Sequence, residues 1–249
     1  MPRTAWGWEV TAGELESWII HKDNEILAVN KPPHVLCHPS KHGPWSSLIG
    51  ACRELLGAER LHMPSRLDRE TSGVVVLVRN AALASKLQNA MLRRRVRKVY
   101  HAILTGELES SITVEQPIGK HASSAILVRR GVNAEGQSAK TEFHPLTGID
   151  GFTLARVIPH TGRLHQIRVH ANWMGHSVVG DKIYGPDENH FLEFLRDGWT
   201  AHLEASLLLN HHALHASEWE CDGYRFQAGP PEDWNSILPP ATIRWRELL

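Results

Sequence analysis

Asp68 stands between two arginines in Arg66-Leu67-Asp68-Arg69-Glu70-Thr71-Ser72-Gly73, and the Thr-Ser-Gly turn runs straight into Val74-Val75-Val76-Leu77-Val78. An apolar run of that length, rich in β-branched residues, predicts a buried strand. Asp68 is therefore expected in a loop pinned to the edge of a core, which suits an acid used for chemistry rather than for solubility. Arg168 is a second candidate. It borders an apolar face formed at helical spacing by Leu164, Ile167, Ala171 and Met174. A guanidinium there needs a partner, because an unpaired buried charge is very costly. A bidentate carboxylate is the natural one. Asp68 and Asp181 both qualify, and a rim arginine facing water is the plainer alternative. Tyr100 is a third candidate, just after the densest cationic run of the chain, Arg93, Arg94, Arg95, Arg97 and Lys98. Cations that hold phosphates beside a ring that stacks on a base are what a nucleotide-binding surface uses. A solvated helix end, whose arginines favour the helix dipole, accounts for the same run.

Other chemistries find less support. The 17 histidines include the i, i+4 pairs His38/His42 and His211/His215. Metalloprotease spacing needs Glu after the first His, and His211-His212-Ala213-Leu214-His215 has none. No metal and no cofactor are expected, and a metal-dependent hydrolase is the weakest of the readings. There is no phosphate-binding glycine loop, and Ser72 sits in no nucleophile elbow.

The elements that must carry these residues are mostly short. Ile26-Leu27-Ala28-Val29 predicts a strand stopped by Lys31-Pro32-Pro33. Ser46 or Ser47 is placed to cap a helix through Leu48, Ile49, Leu55 and Leu56 that ends at Gly57. Asn80 caps another carrying Leu83, Leu87, Ala90 and Met91. Strands are predicted at Tyr100–Leu104, Ile112–Val114, Ala125–Val128, Ala139–Phe143 and Phe152–Ile158, with turn-rich stretches such as 131–136 between them. Further helices are expected at Arg163–Met174 and His190–Trp199, and late strands at Leu207–Leu209 and Ala213–Trp219. This meander pattern predicts an α+β fold on an antiparallel or mixed sheet. Residues 1–18 are expected to form a loose arm, with Trp6 and Trp8 tucked onto the body, and 19–249 a single catalytic domain. A Pro-rich tail closes in a short amphipathic segment.

Composition sets outer bounds. The chain has 249 residues, 42% hydrophobic and 22% charged, with formal net charge zero, so any attraction to nucleic acid must come from a local patch. Its three cysteines, Cys37, Cys52 and Cys221, are far apart and lack a CxxC pair. That argues for a reducing compartment and against a disulfide frame. Neither a signal core nor an apolar stretch near the ~20 residues that span a bilayer occurs. A cytoplasmic protein is expected.

Taken in order, these segments resemble the RluA-type RNA pseudouridine synthases. Val29-Asn30-Lys31-Pro32-Pro33 resembles the first family segment, and Arg66 to Gly73 looks like the catalytic one. Lys98-Val99-Tyr100-His101-Ala102 is similar to the segment bearing the active-site tyrosine. Gly162 to His170, continued by Gly180-Asp181-Lys182-Ile183-Tyr184-Gly185, looks like the third motif, and Ala213-Leu214-His215-Ala216 like the late strand. The resemblance implies that Asp68 is the essential aspartate, that Tyr100 packs on the target base, and that Arg168 pairs with Asp68. It implies that Arg66 occupies the space of a flipped nucleotide. Arg69, Thr71, His165 and Gln166 become substrate-binding candidates, with Arg93, Arg94, Arg95, Arg97 and Lys98 as phosphate contacts. It also implies a pseudouridine synthase fold, a mixed and mainly antiparallel sheet with flanking helices and a central cleft. The enzyme would act on a structured stem-loop of tRNA or rRNA as a monomer, without metal, cofactor or membrane. About 25 residues precede the first motif, too few for the RNA-binding domain the family often appends. Two positions depart from the family pattern. Ser65 stands where His is common, and His34 stands where Gly is common, so the turn there is expected to differ. These departures leave a non-catalytic RNA-binding paralogue as the alternative.

Overall fold

The computed structural model describes residues 8–39 and 42–239. Trp6 and the segment after Pro239 lie outside the described residues. From the N-terminus the elements are α1 (Ala12–Trp18), β1 (Ile19–Lys22), β2 (Ile26–Lys31), α2 (Leu48–Leu56), β3 (Ser72–Val78), α3 (Ala81–Leu92) and β4 (Arg97–Thr105). There follow β5 (Ile112–Val114), β6 (Ile118–Lys120), β7 (Arg130–Val132), β8 (Thr141–Ile149), β9 (Phe152–Pro159), α4 (Gln166–Trp173), α5 (Asn189–Asp197), α6 (Ala201–Leu207), β10 (Leu214–Cys221) and β11 (Tyr224–Gln227). The strands form a mixed, mainly antiparallel sheet with flanking helices, an α+β architecture. The described residues divide into two compact units, one holding those up to Lys98 with His215–Pro231, the other Val99–Leu214 with 232–239.

The first unit is built on β3. Strand side chains alternate between faces. Val74, Val76 and Val78 pack with Ile26 and Ala28 against Ala84, Leu87 and Ala90 of α3. Val75 and Leu77 pack with Leu27 and Val29 against Leu48, Ile49 and Cys52 of α2 and Leu15 of α1. Both faces are covered, so the run reads as continuously apolar rather than alternating. β2 lies antiparallel to β3, with Val29 opposite Val75. β10 lies parallel to it, with His215 opposite Ser72, and β11 folds back antiparallel on β10. Ser47 caps α2 through the Gly50 N–H, and Gly57 ends it at φ 55°. Asn80 caps α3 through the N–H groups of Ala82 and Leu83. The expected loose arm instead contains α1. Thr11 and Glu14 cap each other's backbone there, and Leu15 is fully buried, so one apolar anchor and a capping box order the segment. Trp8 packs on the same core.

In the second unit β9 lies between β4 and β8, antiparallel to both, with Tyr100 opposite Val157. β5 pairs with the far edge of β8. β6 and β7 form a separate two-stranded ribbon, Lys120 opposite Arg130. Three expectations fail here for physical reasons. Ala125–Val128 is not a strand; Ile126 is buried, but Leu127 is 94% exposed and Val128 is exposed too, so the segment offers one apolar anchor rather than a strand face, and the strand lies just after it at β7. Leu207–Leu209 is the end of α6, where Leu208 turns at φ 67°. The helix expected from Arg163 starts at Gln166, because His165 takes φ 58°, and Leu164 lies outside the helix at 43% exposure.

Candidate active site

Asp68 occupies a half-buried loop of the first unit whose carbonyl accepts the Thr71 N–H at 3.2 Å. Arg66 is exposed, Arg69 half-buried and Thr71 buried. What holds this loop is a residue the sequence reading used only as a strand stop. Lys31 is fully buried. Its Nζ donates to the carbonyls of Pro32 at 2.8 Å, Val35 at 3.0 Å and Arg69 at 3.1 Å. It ties its own turn to the backbone one residue beyond Asp68. Burial pushes its ammonium down to about 8, while the charges of Cys37, Asp68 and Glu70 work the other way. A lysine ending an apolar strand immediately before Pro-Pro was the available signal. His34 is buried and adopts φ 69°, the conformation a glycine would take freely and other residues at a cost of roughly 1–2 kcal/mol.

The exit of the loop is clamped as firmly. Ser72 Oγ meets His215 Nδ1 at 2.9 Å, and His215 Nε2 donates to the Ala228 carbonyl at 2.9 Å. That donation leaves Nδ1 to accept the serine proton. Gly73 has φ 113°, and a Cβ there would lie 2.3 Å from the Ala216 carbonyl oxygen, so the β3–β10 approach requires glycine.

Tyr100, His165, Gln166 and Arg168 belong to the second unit. Tyr100 is half-buried on β4. Of the two carboxylates open to Arg168, Asp181 is a bidentate partner, Nε to Oδ2 at 2.6 Å and Nη2 to Oδ1 at 2.9 Å. Asp181 is fully buried and also accepts the Ile183 and Tyr184 N–H groups at 3.0 Å each. Burial alone would raise its pKa; the Arg168 charge and these hydrogen bonds outweigh it and hold the carboxyl below its usual range. The guanidinium lies 5.0 Å from the Tyr184 ring centroid. The Tyr184 hydroxyl accepts the Arg130 N–H at 2.8 Å and meets His165 Nδ1 at 2.9 Å. Gln166 is buried with its amide engaged by Thr161, Arg163, Lys140 and Thr141, a strut that shapes the start of α4. His212, buried nearby, is kept neutral by burial and the Arg168 charge.

The cationic run is not uniform. Arg93, Arg94 and Arg95 are exposed at the end of α3, and Lys98 is half-buried, with burial pushing its ammonium down to about 8. Arg97 is committed to carboxylates, bonding Glu218 at 2.6 Å and Glu220 at 3.3 Å. Among the described residues no group of three or more His, Cys, Asp or Glu side chains could hold a metal. Within the two expected pairs, His211 is bound to Asp233 and His215 to Ser72.

A fold of this kind with an acid so held defines a class that comparison makes specific. Residues 25–173 match the RNA pseudouridylate synthase family. An uncharacterized RNA pseudouridine synthase of Bacillus subtilis is 29% identical over 88% of this chain and 75% of its own length. Ribosomal large subunit pseudouridine synthase C of Vibrio parahaemolyticus is 31% identical over 95% of this chain and 69% of its own. Human RNA pseudouridylate synthase domain containing 4 superposes with a TM-score of 0.71 at 25% identity, covering 91% of this chain and 95% of that one. The chain belongs to the RNA pseudouridylate synthase family, in its RluA-type branch, and is an isomerase that acts on RNA. No helix among the described residues is long and apolar enough to cross a membrane.

Proposed function

We propose that this enzyme isomerises uridine to pseudouridine in a stem-loop of ribosomal RNA, with Asp68 carrying the chemical step. The observation that bears most weight is the anchoring of the Asp68 loop by the buried Lys31 ammonium. An acid that must meet one bond of one nucleotide gains most from a fixed position. The relatives named for the ribosomal large subunit support the choice of RNA. In the reaction the C1′–N1 bond breaks and the C1′–C5 bond forms; C5 loses its hydrogen and N1 gains one, so no cofactor or metal is required. The target nucleotide leaves its stack at a cost of a few kcal/mol, least in a loop. Arg66, exposed beside Asp68, fills the gap. Tyr100 packs on the uracil, worth roughly 1–3 kcal/mol. Arg168, held by Asp181 within the second unit, takes the role of the family's motif arginine. Arg69, Thr71 and His165 contact the nucleotide, and Arg93, Arg94, Arg95 and Lys98 hold phosphates. The enzyme works as a monomer in the cytoplasm, in keeping with three buried free cysteines.

The test is pseudouridine mapping of ribosomal RNA treated with wild-type enzyme or Asp68→Asn. The variant should bind RNA yet form no product; a wild-type rate would remove Asp68 from the chemistry. Tyr100→Phe keeps the ring and should lose less activity than Tyr100→Ala, whereas equal losses would remove the stacking role.

A further inference from the structure

The β6–β7 ribbon and the Arg163–Leu164 segment enclose a groove of about 340 Å³ within the second unit. Gly119 and Gly136 line it. Gly136 is obligatory, since a Cβ there would lie 2.4 Å from the Ile118 carbonyl carbon. Two guanidiniums, Arg130 and Arg163, line the walls. Arg163 donates through Nε to the Ser138 carbonyl at 3.0 Å, which fixes the side chain and leaves its terminal nitrogens available. Neither arginine is paired with a carboxylate among the described residues, unlike Arg129 next door, which is bound to Glu188. Leu164 also lines the groove and is 43% exposed. The same chain segment continues directly into His165.

We propose that this groove is a second nucleotide site, which takes a residue of the substrate RNA flanking the target uridine. The proposal rests on the RNA substrate class and not on the identity of the catalytic acid. Two cations without a carboxylate partner, one of them with a fixed side chain, match a phosphodiester, and an exposed apolar side chain in the same groove matches the face of a base that has left its stack. Arg130 and Arg163 hold the phosphate and Leu164 meets the base. Glu135 also lines the groove. It would repel a phosphate laid on it, but its carboxylate accepts a hydrogen bond from a ribose 2′-hydroxyl, the group that distinguishes RNA from DNA.

Anisotropy titrations of fluorescent 12-mer oligouridylate and its deoxy counterpart at several salt concentrations test this on the intact chain. Each single-strand phosphate contact adds about 0.7 to the slope of log affinity against log salt. Because Arg130 and Arg163 share one phosphate, the Arg130→Gln/Arg163→Gln pair should lower the slope by about 0.7, and Leu164→Ala should weaken binding several-fold at unchanged slope. Lys86→Gln/Arg196→Gln removes two cations already paired with Asp222 and Asp197 and should leave the slope as it was. Glu135→Gln should narrow the preference for ribose over deoxyribose. An unchanged slope in the first pair, or an equal fall in the control pair, overturns the site; an unchanged sugar preference overturns the ribose contact. The readout is independent of turnover. Loss of the groove with product still formed, and loss of product with the slope effect intact, are separate results.

Discussion

Replacing Lys31 with methionine separates the anchoring of the Asp68 loop from the stability of the fold. Methionine nearly fills the lysine volume but removes the charge and three hydrogen bonds. Two effects oppose each other. Burial has moved the ammonium from 10.5 to about 8. At about 1.4 kcal/mol per pH unit, the folded chain at neutral pH carries a penalty of about 3 kcal/mol that methionine relieves. Against this, three carbonyls lose a donor, and of these bonds only the one to Val35 is fully buried. An orphaned buried acceptor costs about 1–3 kcal/mol, and the two part-buried ones less. The sum leaves stability changed by no more than about 2 kcal/mol, which urea unfolding will measure. Turnover is expected to fall far more, on the order of 100-fold, because the loop loses the tie from the Lys31 ammonium to the Arg69 carbonyl and a displacement near 1 Å has that effect. An internal control follows from the sign of the shift. Between pH 8 and 10.5 the unfolded chain still holds the lysine proton and the folded chain does not, so wild-type stability rises with pH in that window. In Lys31→Met the Lys31 share of this rise disappears, about half of it, while Lys98, lowered to about 8 in the same way, keeps its own. A variant that turns over within three-fold of wild type, with the alkaline rise reduced by about half, would refute the anchoring argument.

Gly73→Ala must open the β3–β10 contact at the exit of the same loop. It should destabilise the chain by more than about 3 kcal/mol or prevent folding, while Gly57→Ala, with nothing within 4 Å of its Cβ, should cost about 1 kcal/mol; similar thermal shifts for the two would contradict the steric reading. His101, 1% exposed, is pushed down to about 4 by burial and by the Arg156 charge. The unfolded chain takes up a proton as pH falls below 6.5 and the folded chain does not until about 4, so about 3 kcal/mol of stability is lost across that window; in His101→Leu that part of the acid sensitivity should vanish from denaturation midpoints at pH 7 and 4.5. Arg94→Gln should lower the salt slope of oligouridylate binding by about 0.7, whereas Arg97→Gln, whose guanidinium is spent on Glu218, should leave the slope nearly unchanged and instead reduce stability.

Much of the first unit was legible because local and global signals agree there. Ser47 and Asn80 cap helices whose apolar faces meet the two sides of β3. The second unit was harder. β6 and β7 are three residues each and carry glycines, so no periodicity announces them. Leu127 and Leu208 are apolar but exposed, and propensity places them in strands that tertiary contacts do not supply. The motif residues could be named from the chain, but their bonding could not. Asp181 rather than solvent receives Arg168, and Arg97 turns to carboxylates that lie more than 100 positions away. Lys31 looked like punctuation because nothing local shows that its ammonium folds back over its own turn.

The neighbour that completes β3 comes late in the chain. Ser72 and His215 are 143 residues apart. At translation speeds of 5–20 residues per second the nascent strand waits roughly 7–30 s for β10 to emerge. During that interval Ser72 and Gly73, where β3 begins, lack their native parallel mate, and an unpaired strand edge invites association with other chains. Chaperone demand during synthesis should accordingly fall on this stretch, and any slowing of translation over the intervening residues would lengthen its exposure.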